Sequence, residues 1–197
     1  MLTQELERTA RHASLGLPLA ARSSKGGPCW YVLRVPEGRE QATAEKLRSI
    51  VSSDLLGDVF APRAERWIKR AGVWFTSAKL LYSGYLFAVT DNVEALEKAL
   101  TSMSFPVELV GSRGRSFAPL SEQARMWFER VMDEAHVIRT STANIESGVL
   151  HVQTGPLVGQ EDRIERVDRH KRSCLVRVGE GDHSFIVRLA LGIPEKS

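Results

Sequence analysis

The chain has 197 residues, of which 43% are hydrophobic and 26% charged, enough for one ordinary domain or two small ones. Its formal net charge of +3 is mildly basic and compatible with a nucleic-acid partner. Cys29 and Cys174 lack a CxxC or Cys/His spacing, so we expect no zinc site and no structural disulfide. No apolar run reaches the roughly 18–20 residues of a membrane span. We therefore expect a soluble, cytoplasmic protein with no membrane contact and no metal or other cofactor.

The first residues and the first domain differ in pattern. Residues 1–28 end in SSKGGP, a composition that predicts a flexible arm. WYVLRV at 30–35 is typical of a strand, and REQATAEKLRSIVSS at 39–53 predicts a helix. The apolar residues at helical spacing in that helix are Ala44, Leu47 and Val51, with Ile50 beside them.

A hairpin, a second helix and a closing strand follow. Segments 58–68 and 73–90 predict antiparallel strands joined by the turn RAG at 70–72. Asp91 or Asn92 can cap a helix with one apolar stripe, and FPVELVG at 105–111 predicts a closing strand. The stripe consists of Val93, Leu96, Leu100 and Met103. The order strand, helix, strands, helix, strand indicates an α+β, ferredoxin-like sandwich, which we assign to residues 29–118.

The second half of the chain predicts a helix, a linker and a small barrel. Ser121 can cap a short helix in which four apolar residues face one way. These residues are Ala124, Trp127, Phe128 and Val131. The segment 135–148 is polar and unpatterned, so residues 119–147 are interpreted as a short helix and a linker. Residues 148–197 hold short β-branched runs and turns, which predict an all-β barrel of four or five strands.

One stretch of the barrel, VDRHKRSCLVRV at 167–178, combines a basic run with a strand pattern. Cys174, Val176 and Val178 alternate with more polar residues, as in a half-buried strand. Ile164 and Val167 are three apart, so a β-bulge is expected between them. The basic run then lies at the tip of a hairpin that joins two strands.

These two halves, in this order, resemble the NusG family of transcription elongation factors, which have an amino-terminal NGN domain and a carboxy-terminal KOW domain with an SH3-like barrel. The motifs that carry the resemblance are WY at 30–31, AP at 61–62, KLLYSGYLFA at 79–88 and VQTGPLVGQEDRIERVD at 152–168. Ser83 stands where the family usually has a proline. The resemblance covers about residues 29–196.

Within the family, APLS at 118–121 followed by a helix, and DRHKR at 168–172, look most like the specialised paralogs called LoaP. That resemblance implies a monomeric, operon-specific antitermination factor that binds the clamp helices of RNA polymerase and a leader RNA hairpin. The alternatives are a general elongation factor whose KOW domain binds a protein, such as the ribosome or a termination factor, and a ribosomal-type KOW module. No GxSxG, HExxH, P-loop or dinucleotide motif is present, so no catalytic residue is expected.

The resemblance also implies binding surfaces. Tyr85 and Phe87 are two apart in a strand and project from one face; the family implies that this face is an exposed apolar patch for RNA polymerase, with Tyr82 and Trp30 as neighbours. The alternative is that these aromatic residues belong to the core.

Two basic surfaces complete the expected sites. The RNA-binding candidates are Arg163, Arg166, Arg169, His170, Lys171, Arg172 and Arg177. Arginine can make bidentate contacts to phosphate or guanine, although a solvated turn would also explain this basic run. Arg34, Arg39 and Lys46 lie on the side of the NGN domain that can approach non-template DNA in the family, and a charged, solvated helix face is the alternative.

Overall fold

The computed structural model describes residues 28–111, 117–179 and 184–193. The predicted arm at 1–28 therefore lies outside the described residues, apart from Pro28. Among the described residues, no helix is long and apolar enough to cross a membrane.

The first unit is a four-stranded antiparallel sheet with two helices on one face. Its elements in chain order are β1 (Cys29–Arg34), α1 (Glu40–Ile50), β2 (Asp58–Phe60), β3 (Arg63–Arg70), β4 (Val73–Leu80), β5 (Tyr85–Thr90), α2 (Val93–Thr101) and β6 (Glu108–Leu109). The strand order is β2-β5-β1-β6, and β3 and β4 form a separate hairpin. The order strand, helix, strands, helix, strand is the one that the sequence predicts. Asn92 caps α2, because its Oδ1 accepts the Ala95 N–H at 3.1 Å.

The two faces of this sheet have different covers. Successive side chains of a strand point to opposite faces, so Leu86 of β5 packs with Leu47 of α1 and Leu96 of α2. Phe87, the next residue, belongs to a second cluster on the other face. Neither helix of the first unit covers that second face, and its cover comes from later in the chain.

The second half of the chain supplies one helix and six strands among its described residues. These are α3 (Glu122–Val131), β7 (Val137–Ile138), β8 (Ser141–Glu146), β9 (Val149–Thr154), a 3-10 turn (Glu161–Arg163), β10 (Ile164–Asp168), β11 (Ser173–Val178) and β12 (Phe185–Gly192). Strands β8–β12 form a five-stranded sheet in the order β10-β11-β12-β8-β9. Four of these strands, β9 to β12, lie in the described part of residues 148–197, where the sequence predicts four or five.

Four local predictions in this half are confirmed. The pairing of β10 with β11 shifts register between Ile164 and Arg166, which is the expected bulge, and Cys174, Val176 and Val178 are buried. The apolar stripe of α3 is buried as well, and Ser121 caps this helix through its Oγ, which accepts the Ala124 N–H at 3.3 Å.

The predicted linker at 119–147 is wrong in its second part, because that part contains two strands. Val137–Ile138 pairs in parallel with β3, and Ser141–Glu146 pairs with both β12 and β9. The five-stranded sheet therefore begins at Ser141 and not at residue 148. The inward-facing residues of β8 are Ser141 and Ala143, which are too small or too polar to produce an apolar alternation in the sequence.

Candidate functional site

An aromatic cluster lies on the face of the first sheet that α1 and α2 leave uncovered. The Trp30 ring lies 5.3 Å from Phe60 and 5.8 Å from Phe87, and Phe60 lies 5.9 Å from Phe87, between ring centroids. Such distances are typical of packed aromatic pairs. These three strand residues form one continuous apolar surface.

The helix α3 covers this surface and joins it to the second sheet. Phe128 of α3 lies 5.3 Å from Phe87 and 6.1 Å from Phe185 of β12, between ring centroids. A line of aromatic rings therefore runs from β5 through α3 to β12. Residues of both sheets belong to the same buried cluster.

This cover corrects the prediction of an exposed apolar patch. Phe87 is 0% exposed and Trp30 is 7% exposed, so both are core residues in this arrangement. Tyr82 and Tyr85 are half-buried at the edge of the cluster, and burial raises the pKa of the Tyr82 phenol well above its usual range. The spacing of Tyr85 and Phe87 predicts a shared face, but a strand pattern carries no information on which helix will cover that face.

Polar contacts fix α3 between the two sheets. The Trp127 Nε1–H donates to the buried Gln160 Oε1 at 2.8 Å, and Gln160 Nε2 donates to the Pro156 carbonyl at 2.7 Å. Before the helix, the Leu120 N–H donates to the Trp30 carbonyl at 2.6 Å. A buried donor without a partner costs stability, so these bonds favour one position of α3.

A carboxylate on β3 holds the segment between α3 and β8. Glu65 Oε2 accepts the Thr140 N–H at 2.8 Å and the Thr140 hydroxyl at 3.0 Å, and Glu65 Oε1 pairs with Arg139 at 3.2 Å. Burial alone would raise the pKa of Glu65, but the hydrogen bonds from Thr140 and the contact with Arg139 hold it below its usual value. Glu65 is therefore charged at neutral pH and joins the two units.

Arg172, at the end of the basic run, also contacts the first unit. Its guanidinium carbon lies 5.1 Å from the Trp67 ring centroid and 4.8 Å from that of Trp74. Both tryptophans belong to the β3–β4 hairpin, and cation–π contacts of this length are stabilising. Arg172 therefore packs against two aromatic rings of the first unit, and its contacts differ in this respect from those of the other RNA-binding candidates.

The remaining RNA-binding candidates lie in different surroundings. Arg166, Arg169, His170 and Lys171 are exposed on β10 and in the turn that follows it. Arg177 forms an ion pair with Glu165 and donates to the Ser184 hydroxyl, and Arg163 is half-buried in the 3-10 turn. The structure therefore brings four of the seven predicted residues to one exposed region.

Sequence reasoning missed one basic residue of this region, Arg188 of β12. Leu175 of β11 pairs with Arg166 on one side and with Arg188 on the other, so the two arginines flank Leu175 on the outer face of the sheet. The signal was present in FIVRLALG, where Ile186 and Arg188 alternate with buried residues.

The three DNA-binding candidates have separate local contacts. Arg34 is half-buried at the end of β1, and Arg39 is exposed at the amino-terminal cap of α1. The Lys46 Nζ lies 4.1 Å from the centroid of the Phe105 ring, so this ammonium already has an aromatic partner. Arg39 is the N-cap residue of α1, and Lys46 lies within this helix seven residues later.

No group of three or more His, Cys, Asp or Glu side chains within the described residues could hold a metal ion.

The comparisons with known proteins point to one family. Residues 28–128 match the family model described as transcription termination factor nusG. The chain is 23% identical over 173 residues to the transcription termination/antitermination protein NusG of Buchnera aphidicola subsp. Acyrthosiphon pisum (strain APS), a match that covers 85% of this chain and 96% of that protein. A solved structure that describes domain interaction in Thermotoga maritima NusG is similar with 18% identity and a TM-score of 0.47, covering 83% of this chain and 94% of that one.

Proposed function

Because the chain belongs to the NusG family of transcription factors, we propose that it is an operon-specific antitermination factor, with an NGN domain that binds RNA polymerase and a KOW domain that binds a nascent RNA hairpin. NusG proteins are transcription factors and not enzymes. The observation that carries the RNA part of the proposal is the exposed basic region on β10 and the turn after it. Four cationic or imidazole side chains project there, and arginine forks and a histidine ring suit the phosphates and bases of an RNA loop.

The polymerase part of the proposal rests on the aromatic cluster. Trp30, Phe87 and Tyr85 offer the large apolar side chains that protein-binding hot spots use. Contact with the clamp helices of RNA polymerase then requires that α3 leave Phe87, so binding shifts the protein from a covered to an open arrangement. A partner can shift this equilibrium only by its differential affinity for the two arrangements.

In this mechanism the RNA hairpin supplies selectivity. A factor held on a leader RNA has a raised effective concentration near the polymerase that is transcribing the same operon. The NGN domain, once bound, stabilises the elongating state of the polymerase by contact and not by chemistry.

The test is binding of the full-length protein to leader RNA from its own locus, compared with a scrambled hairpin of the same length and composition. We expect tighter binding to the leader RNA at two salt concentrations, because base contacts persist when phosphate contacts are screened. Equal affinity for both RNAs, together with binding to ribosomes or to a termination factor, would favour a general elongation factor instead.

A further inference from the structure

A shallow concavity lies on the outer face of β10, β11 and β12, beside the basic turn. Its volume is about 110 Å³, whereas roughly 10–15 Å³ of such space is enough to hold one water molecule. The side chains that line it and bear on the argument are Arg166, Asp168, Lys171, Ser173, Leu175 and Arg188. Leu175 forms the floor between the two arginines, because it pairs with both of them.

The charge in this concavity is unbalanced. Three of its side chains are cationic and one, Asp168, is a carboxylate. Asp168 is already engaged, since its Oδ1 accepts the Lys171 N–H at 2.9 Å and its Oδ2 lies 4.0 Å from the Lys171 Nζ. The charge of Arg166 also lies close enough to help lower the pKa of Asp168, after the larger effects of Lys171 and His170, so one carboxylate is shared among several cations. Arg188 forms no ion pair with a carboxylate among the described residues.

A fourth cation reinforces this imbalance. Arg66 of β3 is half-buried; burial first, and the nearby charge of Arg188 second, lower the pKa of its guanidinium. Like charges that approach each other without a counterion are unfavourable. The positive potential at this end of the sheet therefore exceeds what the lining residues alone supply.

The polar groups are arranged as donors. Arg188 Nη1 donates to the Ser173 Oγ at 3.3 Å, so the serine hydroxyl proton remains available to a further acceptor. Arginine guanidinium groups also keep several N–H donors after one bond is made. A tetrahedral anion with several acceptor oxygens matches this set, and a metal cation does not.

We propose that this concavity is a phosphate-binding site, formed by Arg166, Lys171, Ser173 and Arg188, which takes a phosphodiester group of the RNA backbone. The identity of the ligand rests on the proposed RNA-binding function, whereas the anion-binding chemistry of the site does not. It contributes affinity and orientation and no sequence preference, since phosphate contacts position a nucleic acid and base contacts specify it.

The first experiment measures the affinity of the full-length protein for a fluorescein-labelled leader hairpin and its scrambled counterpart, as a function of salt. We expect Arg188→Gln to weaken binding to both RNAs about tenfold or more and to lower the salt slope by about one. Lys98→Gln removes the same charge from an exposed position on α2, a helix that packs on the first sheet and not on the second. This variant should leave both the affinity and the salt slope unchanged. Arg188→Lys should keep the salt slope and lose part of the affinity, because a lysine retains the charge without the fork.

The second experiment uses inorganic phosphate and thermal unfolding, with sodium chloride matched for ionic strength. Phosphate should raise the melting temperature of the wild type and of Lys98→Gln, and have a smaller effect on Arg188→Gln.

If the wild type binds RNA but Arg188→Gln behaves like Lys98→Gln in both experiments, the phosphate site is wrong and the proposed function stands. If the wild type binds neither RNA but shows a phosphate effect that Arg188→Gln loses, the anion site stands, and both its RNA ligand and the proposed RNA function fail. Any loss of folding in Arg188→Gln is seen in its own melting curve, and Arg188→Lys then decides the question.

Discussion

The Phe128 ring of α3 meets the Phe87 ring of β5 edge-on, with 5.3 Å between centroids and 68° between ring planes. This contact joins a helix after the first unit to the strand face that the family resemblance assigns to RNA polymerase. One residue, Phe87, thus has two candidate partners on the same face. Both cannot contact Phe87 at once, so the position of α3 controls access to it.

Phe87 and Tyr85, two residues apart in β5, should differ sharply in their effect on stability. We expect Phe87→Ala to lower the free energy of unfolding by about 3–5 kcal/mol, because it leaves a cavity among four aromatic rings. Tyr85→Ala, at a half-buried position, should cost clearly less. Urea unfolding of both variants measures the difference, and equal losses would contradict the prediction.

Gly155 should be far less tolerant of substitution than Gly148, although both have positive φ angles, of 93° and 85°. A Cβ at Gly155 would lie 2.6 Å from the Thr140 carbonyl oxygen and 2.7 Å from Ser141 Cα, whereas none of the neighbouring heavy atoms lies within 4 Å of a Cβ at Gly148. We expect Gly148→Ala to cost about 1 kcal/mol from backbone strain. Gly155→Ala should cost about 2–4 kcal/mol, because backbone atoms must also move. Urea denaturation of the two variants tests this, and similar midpoints would contradict it.

The close approach at Gly155 also explains what the sequence could and could not predict. β11 was predictable because Cys174, Val176 and Val178 alternate strictly and face the core. β8 was not predictable in this way. Its inward-facing residue Ser141 lies against Gly155 and accepts a hydrogen bond from the Leu157 N–H through its Oγ at 3.1 Å. Neither of these contacts produces an apolar periodicity in the sequence.

The candidate binding surfaces were likewise predictable from the sequence only in part. The stripe of α3, with Phe128 in it, predicts that the helix is covered, but an amphipathic stripe does not identify its partner. The hairpin tip at 169–172 was predictable from local pattern. The contact of Arg172 with Trp67 and Trp74 was not, because those residues are about a hundred positions apart and are joined only by the packing of the two units.

Arg172 and Arg169, both in the basic turn, should differ in their contribution to stability. Arg172→Ala removes contacts with two tryptophan rings and should lower the free energy of unfolding by about 0.5–2 kcal/mol. Arg169 is exposed, so Arg169→Ala should change it by less than about 0.5 kcal/mol. Thermal or urea unfolding measures both, and a neutral Arg172→Ala would mean that the cation–π contacts contribute nothing in solution.

Glu65 should make the joined arrangement sensitive to acid. Its pKa is lowered in the folded protein from its usual value of 4.5, so its carboxylate stabilises the fold fully above about pH 4.5 and progressively less as the pH falls through the folded pKa. Glu65→Gln lacks this titration. We expect the stability difference between the wild type and Glu65→Gln to be constant near neutral pH and to shrink below pH 4.5. A difference that is independent of pH from 3 to 7 would rule out this role.

Trp127 offers a way to loosen α3 while an aromatic ring stays at its buried position. Trp127→Phe keeps an aromatic ring but deletes the Nε1–H that donates to Gln160 Oε1, leaving a buried acceptor without that partner. We expect a loss of about 1–3 kcal/mol and, because the cover of Phe87 is weakened, tighter binding to RNA polymerase. Met126 lies next to it on the exposed side of α3, with 57% of its surface exposed, so Met126→Ala should change neither quantity. The measurements are urea unfolding and the affinity of each full-length variant for purified core RNA polymerase. A destabilised Trp127→Phe protein that binds polymerase no better than the wild type would show that the release of α3 does not limit access to Phe87.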